Sequence, residues 1–222
     1  MSRRLKRDIP GRDFRVTPDD VRAKGWPALF AGDVALRDDG ALAMVLEIGF
    51  GRGEFLIELA RRAPDVAHVG VELAAKRVLK QARRLAKDVL RNVRLVHGRG
   101  EDALALFEPA SLAAVWINFP DPWPKKRHHR RRLVQPALVA AVADRLAPGG
   151  LLHVATDDVP YAEHVDAVLA AEPLLANDFA PDRWLADVPG RMPTAYERAW
   201  RAEGRSLHFW AYRRRATMRA SS

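Results

Sequence analysis

The 222-residue sequence predicts an α/β fold, an open and mostly parallel sheet with helices between its strands, on three observations. From Ala43 onward, short apolar runs alternate with longer amphipathic stretches. A glycine-rich turn sits where the first run gives way to the first helix pattern. Toward the C-terminus, residues 206–212 alternate apolar and polar side chains in the manner of a strand.

Taken in order, residues 1–40 are rich in Arg, Asp, Pro and Gly with few periodic apolar positions, and read as a loose basic arm ahead of a single domain over 41–218. Strands are expected at 44–48, 68–72, 93–97, 114–119 and 151–155. Helices are expected at 54–62 (Phe55 and Leu59 on one face), at 74–90 (Val78, Ala82, Leu85, Val89) and at 134–146, the last stopped by Pro148-Gly149-Gly150. Right-handed crossovers join such units, and the 206–212 strand closes the sheet as an antiparallel member.

Composition narrows the function. Hydrophobic residues make up 48% and charged residues 29%, as in an ordinary globular chain. Lys and Arg number 37 against 28 Asp and Glu, a formal charge of +9 that favours polyanionic partners, nucleic acid first. Cysteine is absent, which excludes disulfides, thiolate zinc sites and any mechanism built on a thiolate nucleophile. No apolar run is long enough to span a bilayer and the start carries no secretory pattern, so the expectation is a cytoplasmic protein with no membrane association. No obligate protein partner is expected.

The first chemical feature is Glu47-Ile48-Gly49-Phe50-Gly51-Arg52-Gly53-Glu54, at the expected hand-over from first strand to first helix. Glycines there allow a sharp turn and close approach of a ligand beyond the strand ends. The spacing is G-x-G-x-G rather than the dinucleotide G-x-G-x-x-G, and Glu54 stands where the third dinucleotide glycine would fall. Glu72 ends the second strand, where a carboxylate can accept from both hydroxyls of an adenosine ribose. That ribose is common to NAD and S-adenosylmethionine. Glu47, Asp102 and the lack of a phosphate-binding group favour the cationic donor.

The second feature is Asn118-Phe119-Pro120-Asp121-Pro122-Trp123-Pro124-Lys125-Lys126-Arg127-His128-His129-Arg130-Arg131-Arg132, following the fourth strand. Two prolines fix the backbone around Asp121 and present its carboxylate rigidly. The basic run attracts phosphates, and Trp123 offers a stacking plane for a base. His128 and His129 lack further ligands at any standard spacing, so no metal is assigned. The cations of the 74–90 helix (Lys76, Arg77, Lys80, Arg83, Arg84, Lys87) fit a solvated face or a further stretch of RNA contact, and Arg213-Arg214-Arg215 is equally open.

The string from Phe119 to His128 with Arg131-Arg132 resembles the bacterial tRNA (guanine-N7)-methyltransferase family. So do Leu46-Glu47-Ile48-Gly49-Phe50-Gly51, Val71-Glu72, Thr156-Asp157-Asp158-Val159-Pro160-Tyr161-Ala162 and Pro193-Thr194-Ala195-Tyr196-Glu197. The resemblance spans about 45–215. It implies a Rossmann-like class I S-adenosylmethionine-dependent methyltransferase fold, with a mostly parallel seven-stranded sheet and one antiparallel strand near the C-terminus. It also implies a tRNA partner, methylated at its variable-loop guanosine.

Carried over, Glu47, Gly49, Gly51, Gly53, Glu72, Asp102 and Asp121 bind the cofactor, and Asp121 is the catalytic-site acid. Lys125, Asp157, Thr194, Tyr196 and Glu197 bind substrate, and Arg127, Arg130, Arg131 and Arg132 engage RNA. Ala195 departs from the family, where a basic residue is expected.

Guanine N7 carries an unprotonated lone pair, so positioning and electrostatics suffice and no general base is required. Extruding the base would use Trp123 or Tyr196 as a stacking partner. Two alternatives stand beside this reading. Asn118-Phe119-Pro120-Asp121 loosely matches the loop of amine-methylating enzymes, and a catalytically silent RNA-binding module on the same fold is the other.

Overall fold

The computed structural model describes residues 8–216. The chain divides into two compact units, Met1–Leu106 and Phe107–Ser222, and each is built on four strands.

In the first unit β1 (Arg15–Val16), β2 (Met44–Ile48), β3 (Ala67–Glu72) and β4 (Val93–His97) lie in the order β1-β4-β3-β2. All three pairings are parallel, with Ile48 opposite Val71 and Glu72 opposite His97. Helices α1 (Pro18–Leu29), α2 (Glu54–Arg62), α3 (Ala75–Leu85) and α4 (Gly100–Leu104) fill the connections. Apolar side chains at helical spacing bury one face of each amphipathic helix. Leu56, Ile57 and Ala60 from α2 and Val78, Ala82 and Leu85 from α3 thus share a core with Val93, Leu95, Phe14 and Phe50.

The stretch expected to be a loose arm is ordered from residue 8; its first seven residues lie outside the described residues. Thr17 and Asp20 form a reciprocal capping box that starts α1. Phe14, Trp26 and Phe30 are buried, and the Trp26 indole donates to the Leu106 carbonyl at 2.7 Å. Arg94 of β4, itself 3% exposed, donates to the Leu29 carbonyl and pairs with Asp33. These anchors lie far along the chain from the segment they hold, which is why its local composition read as loose.

In the second unit β5 (Leu112–Asn118), β6 (Leu146–Thr156), β7 (Leu175–Asn177) and β8 (His208–Arg214) lie in the order β5-β6-β8-β7. The β5–β6 pair is parallel, and β8 runs antiparallel to both β6 and β7. The expected antiparallel closure is therefore found, with eight strands among the described residues rather than seven. Between them lie a 3-10 turn (Lys126–Arg131), α5 (Pro136–Arg145), α6 (Val159–Ala170) and α7 (Ala195–Ala202). Pro148-Gly149-Gly150 lies within β6 instead of preceding it. The register shifts there from Leu112↔Leu146 to Ala114↔Leu151, and a Cβ at Gly150 would sit 2.9 Å from the Leu112 carbonyl oxygen. Among the described residues no helix is long and apolar enough to cross a membrane.

Candidate active site

In the first unit the loop after β2 is a tight left-handed turn. Gly49, Gly51 and Gly53 all have positive φ. The N–H of Gly49 donates to the Val71 carbonyl at 2.8 Å, and that of Gly53 to the Phe50 carbonyl at 2.7 Å. A Cβ on Gly49 would meet nothing within 4 Å, so this side of the loop is open. Gly53 differs: a Cβ there would lie 2.4 Å from Gln81 of α3, so its role is close helix packing.

Glu72 at the tip of β3 is 6% exposed. One carboxylate oxygen accepts from the Gly51 N–H at 2.9 Å, the other from the Ala74 N–H at 2.9 Å, and the Arg77 guanidinium lies 3.6 Å away. Glu47 is buried near the end of β2, at 2% exposure. Asp102 is exposed on the first turn of α4. That helix is drawn close to β2 because a Cβ on Gly100 would fall 2.3 Å from Ile48. Glu72 thus contacts the open glycine turn directly, Glu47 precedes that turn by two residues, and Asp102 lies on the helix whose Gly100 packs against Ile48.

In the second unit the loop after β5 holds Asp121 in a strained frame. Phe119 and Trp123 on either side of it adopt φ of 50° and 45°, conformations costing on the order of 1–3 kcal/mol each that persist only when surroundings impose them. Phe119 packs edge-on against Trp200 at 4.9 Å, and its N–H donates to the Ala155 carbonyl at 2.8 Å. Trp123 has the Arg131 guanidinium 5.0 Å over its ring and His128 against it edge-on at 5.7 Å. One Asp121 oxygen accepts from the Trp123 N–H at 3.2 Å, and the side chain is exposed.

Behind this loop Arg132 is buried, 4% exposed. It donates to the Pro122 carbonyl at 2.9 Å and lies 4.9 Å over the Tyr161 ring. Further along the chain, Thr194 and Glu197 form the capping box of α7. Glu197 is 3% exposed, and its carboxylate pairs with Arg191 and, at 3.2 Å, with Arg201. Arg191 also donates to the Asn118 side-chain oxygen at 2.7 Å and sits 4.5 Å over Phe209. Asp157 accepts from Arg205 at 3.0 Å.

A family model described as "Putative methyltransferase" matches residues 42–210. A protein of Alkalilimnicola ehrlichii named tRNA (guanine-N(7)-)-methyltransferase is 45% identical over 77% of this chain and 72% of its own length. One of the same name from Leifsonia xyli subsp. xyli is 41% identical over 86% of this chain and 87% of its own. The chain belongs to the tRNA (guanine-N(7)-)-methyltransferase family. It spans from 60% to 87% of the length of such relatives. The crystal structure of the aminoglycoside resistance methyltransferase NpmB1 aligns with TM-score 0.56 at 14% identity, over 93% of this chain and 97% of that one. The fold is accordingly the Rossmann-like class I methyltransferase fold.

Of the residues expected to hold the cofactor, Gly49 and Gly51 form one loop with Glu72 bound to it, and Gly53 packs against Gln81. Lys125 caps the 3-10 turn that carries Arg127, Arg130 and Arg131, all exposed. Arg132, expected to contact RNA, is buried and donates to the Pro122 carbonyl. Glu197, expected to bind substrate, is buried and paired with Arg191 and Arg201. Thr194 is likewise buried, whereas Tyr196 is 41% exposed and stacked on Trp200 at 5.4 Å. The side chain of Ala195 lies outside the described residues. Sequence reasoning missed Arg191, for which no local signal exists, and missed the α7 cap, which the Thr-x-x-Glu spacing does announce.

Proposed function

We propose that this chain transfers the methyl group of S-adenosylmethionine to N7 of the variable-loop guanosine of tRNA, in the cytoplasm. The observation that carries the reading is the acidic cradle of the first unit, in a chain of this family. Glu72 is locked against a glycine turn whose outer side is open at Gly49. Each Glu72 oxygen accepts one backbone N–H and keeps further lone-pair capacity, which suits a ribose diol. Glu47 and Asp102 add negative charge where a sulfonium needs it, and no cation-repelling group lies in the turn other than Arg52. When bound, the cofactor supplies an electrophilic methyl group on positively charged sulfur.

Asp121 has no proton to remove, because guanine N7 presents a free lone pair. Its task is to hold the base and to offset the positive charge the ring acquires, a preorganised electrostatic role. The Trp123 N–H and the proline frame fix the carboxylate before substrate arrives, and Asp157 provides a second acid near the end of β6. The exposed Lys125, Arg127, Arg130 and Arg131 attract phosphates. Tyr196, exposed and backed by Trp200, offers a stacking surface for a displaced base. Methylation of an exocyclic amine is disfavoured, since the Asn118 oxygen such chemistry would use is engaged by Arg191.

Incubation with methyl-labelled cofactor and unmodified tRNA, followed by chain cleavage at 7-methylguanosine, tests this reading. Label is expected at the variable-loop guanosine, and Asp121→Ala is expected to lower kcat by about 10²-fold. Label on an amine, or undiminished turnover in the variant, would reject it.

A further inference from the structure

Many basic side chains have a carboxylate beside them: Arg22 has Asp19, Arg62 has Glu58, Arg183 has Glu163 and Arg213 has Asp178. On helix α3 Arg77 is so paired, with Glu72 at 3.6 Å, but Lys76, Lys80 and Arg84 are not. The buried face of α3 is Val78, Leu79, Ala82 and Leu85, and its outer side carries Lys76, Lys80, Arg84 and, in the turn just beyond, Lys87, all exposed. Among the described residues none of these four has a carboxylate within 4.0 Å. The acids at either end are engaged by other groups: Glu72 by the glycine loop and Arg77, and Asp88 by Arg61 at 2.8 Å.

Helix stability accounts for the C-terminal end of the pattern alone, where Arg83 and Arg84 in the last turn suit the macrodipole. Lys76 and Arg77 lie in the first turn, where the macrodipole favours anions, and Ala74 supplies no side-chain cap. Lys76, Lys80 and Arg84 repeat at i,i+4, so like charges stack along one side and repel. An arrangement that opposes the helix itself is suited to an external polyanion. At about 1.5 Å per residue the four cations cover roughly 16 Å, comparable to about five nucleotides at roughly 3.4 Å per step. The track also starts next to the cofactor acid, since the Ala74 N–H that opens α3 donates to Glu72.

We propose that the outer face of α3, from Lys76 to Lys87, is a phosphate track that grips the sugar–phosphate backbone of the RNA substrate, separately from the basic turn at 126–131. The inference rests on the tRNA reading above and adds a second, sequence-independent contact on the cofactor-binding unit.

The test uses the full chain and a Lys80→Ala/Arg84→Ala/Lys87→Ala variant, measuring Kd for tRNA across a salt series, with cofactor affinity and thermal melting as controls for folding. The expected result is a Kd for tRNA raised about tenfold or more and a log–log salt slope shallower by about 2, since each lost phosphate contact removes roughly 0.7–0.9. Cofactor affinity is expected to be unchanged. A Lys80→Arg/Arg84→Lys/Lys87→Arg variant, which keeps every charge, is expected to retain the wild-type slope. Unchanged Kd and slope in the alanine variant, with wild-type tRNA binding intact, would overturn the track alone. Failure of the wild-type chain to bind tRNA at all would overturn the function on which the track rests.

Discussion

Glu72 ends one strand and Asp121 follows another, but they are held in place differently. Glu72 is fixed by backbone N–H groups of Gly51 and Ala74, both in the same strand–loop–helix neighbourhood. Asp121 sits in a loop whose conformation is imposed from outside: Arg132 holds the Pro122 carbonyl, and Arg191 reaches Asn118 from 73 residues away while binding Glu197. The glycine turn is thus held by its own neighbourhood, whereas the Asp121 loop is propped by buried guanidinium groups. Nearby groups of one strand–loop–helix unit keep the first in shape; the second depends on buried guanidinium groups that reach it from elsewhere in the chain.

The largest test of this contrast is Arg191→Met. Removing one member of a buried ion pair leaves the other charge stranded, which costs about 3–5 kcal/mol. Arg201 remains beside Glu197, so a loss near the lower end, about 3 kcal/mol, is expected in urea unfolding, together with a fall in kcat. Cofactor Kd should stay where it was; a parallel loss of cofactor affinity would erase the distinction between the two loops.

Next comes Arg132→Gln. The side chain is buried, so its replacement should leave the Kd for tRNA unchanged while releasing the Pro122 carbonyl and letting Asp121 drift. Misplacement by about 1 Å can cost about 10²-fold in turnover. Arg130→Ala should do the reverse, weakening tRNA binding with little effect on kcat. If both variants instead shift Kd and spare kcat, Arg132 contacts RNA and is not a prop.

The same contrast governs what could be read from sequence. Helix 54–62 and strands 44–48 and 93–97 coincide with α2, β2 and β4, because their apolar periodicity and glycine punctuation are local. The place of Glu72 at the tip of β3, beside the glycine turn, was legible for the same reason. The ordered N-terminal segment was not, since Phe14 and Phe30 gain their burial from Arg94 and other side chains far along the chain. Nor was the burial of Arg132 and Glu197 legible: an arginine in a basic run and a glutamate beside a tyrosine read as exposed until the fold is seen. Charge shows in sequence, and desolvation does not.

Two buried histidines extend the comparison to pH. Burial pushes His68 in the first unit down to about 4, against the raising effect of the Val66 carbonyl. Burial, assisted by the charge of Arg191, brings His153 in the second unit down to about 4 as well, where it stacks on Trp116 at 3.7 Å. Both rings resist protonation more in the folded chain than in the unfolded one. The stability they allow is therefore complete above about pH 6.5 and lost as pH falls toward 4. At about pH 5 the loss is on the order of 2 kcal/mol per histidine. Denaturant unfolding at about pH 7 and about pH 5 should show it, and His68→Asn and His153→Asn should each remove one share. A pH dependence that survives in the double variant would assign the acid sensitivity elsewhere.

The smallest effect expected is at the glycine turn. Glu72→Gln keeps one carbonyl oxygen for the Gly51 or Ala74 N–H but replaces the other acceptor with an NH₂, which cannot take a hydroxyl proton and would face a backbone donor. One charge-assisted hydrogen bond of about 1.5 kcal/mol is forfeited, so cofactor Kd should rise about tenfold by calorimetry, while kcat at saturating cofactor stays close to wild type. Glu72→Ala, which also frees two backbone donors, should weaken binding further. If Glu72→Gln bound the cofactor as tightly as wild type, the acid would be no more than a brace for the glycine turn, and the ribose would have to be held by another group.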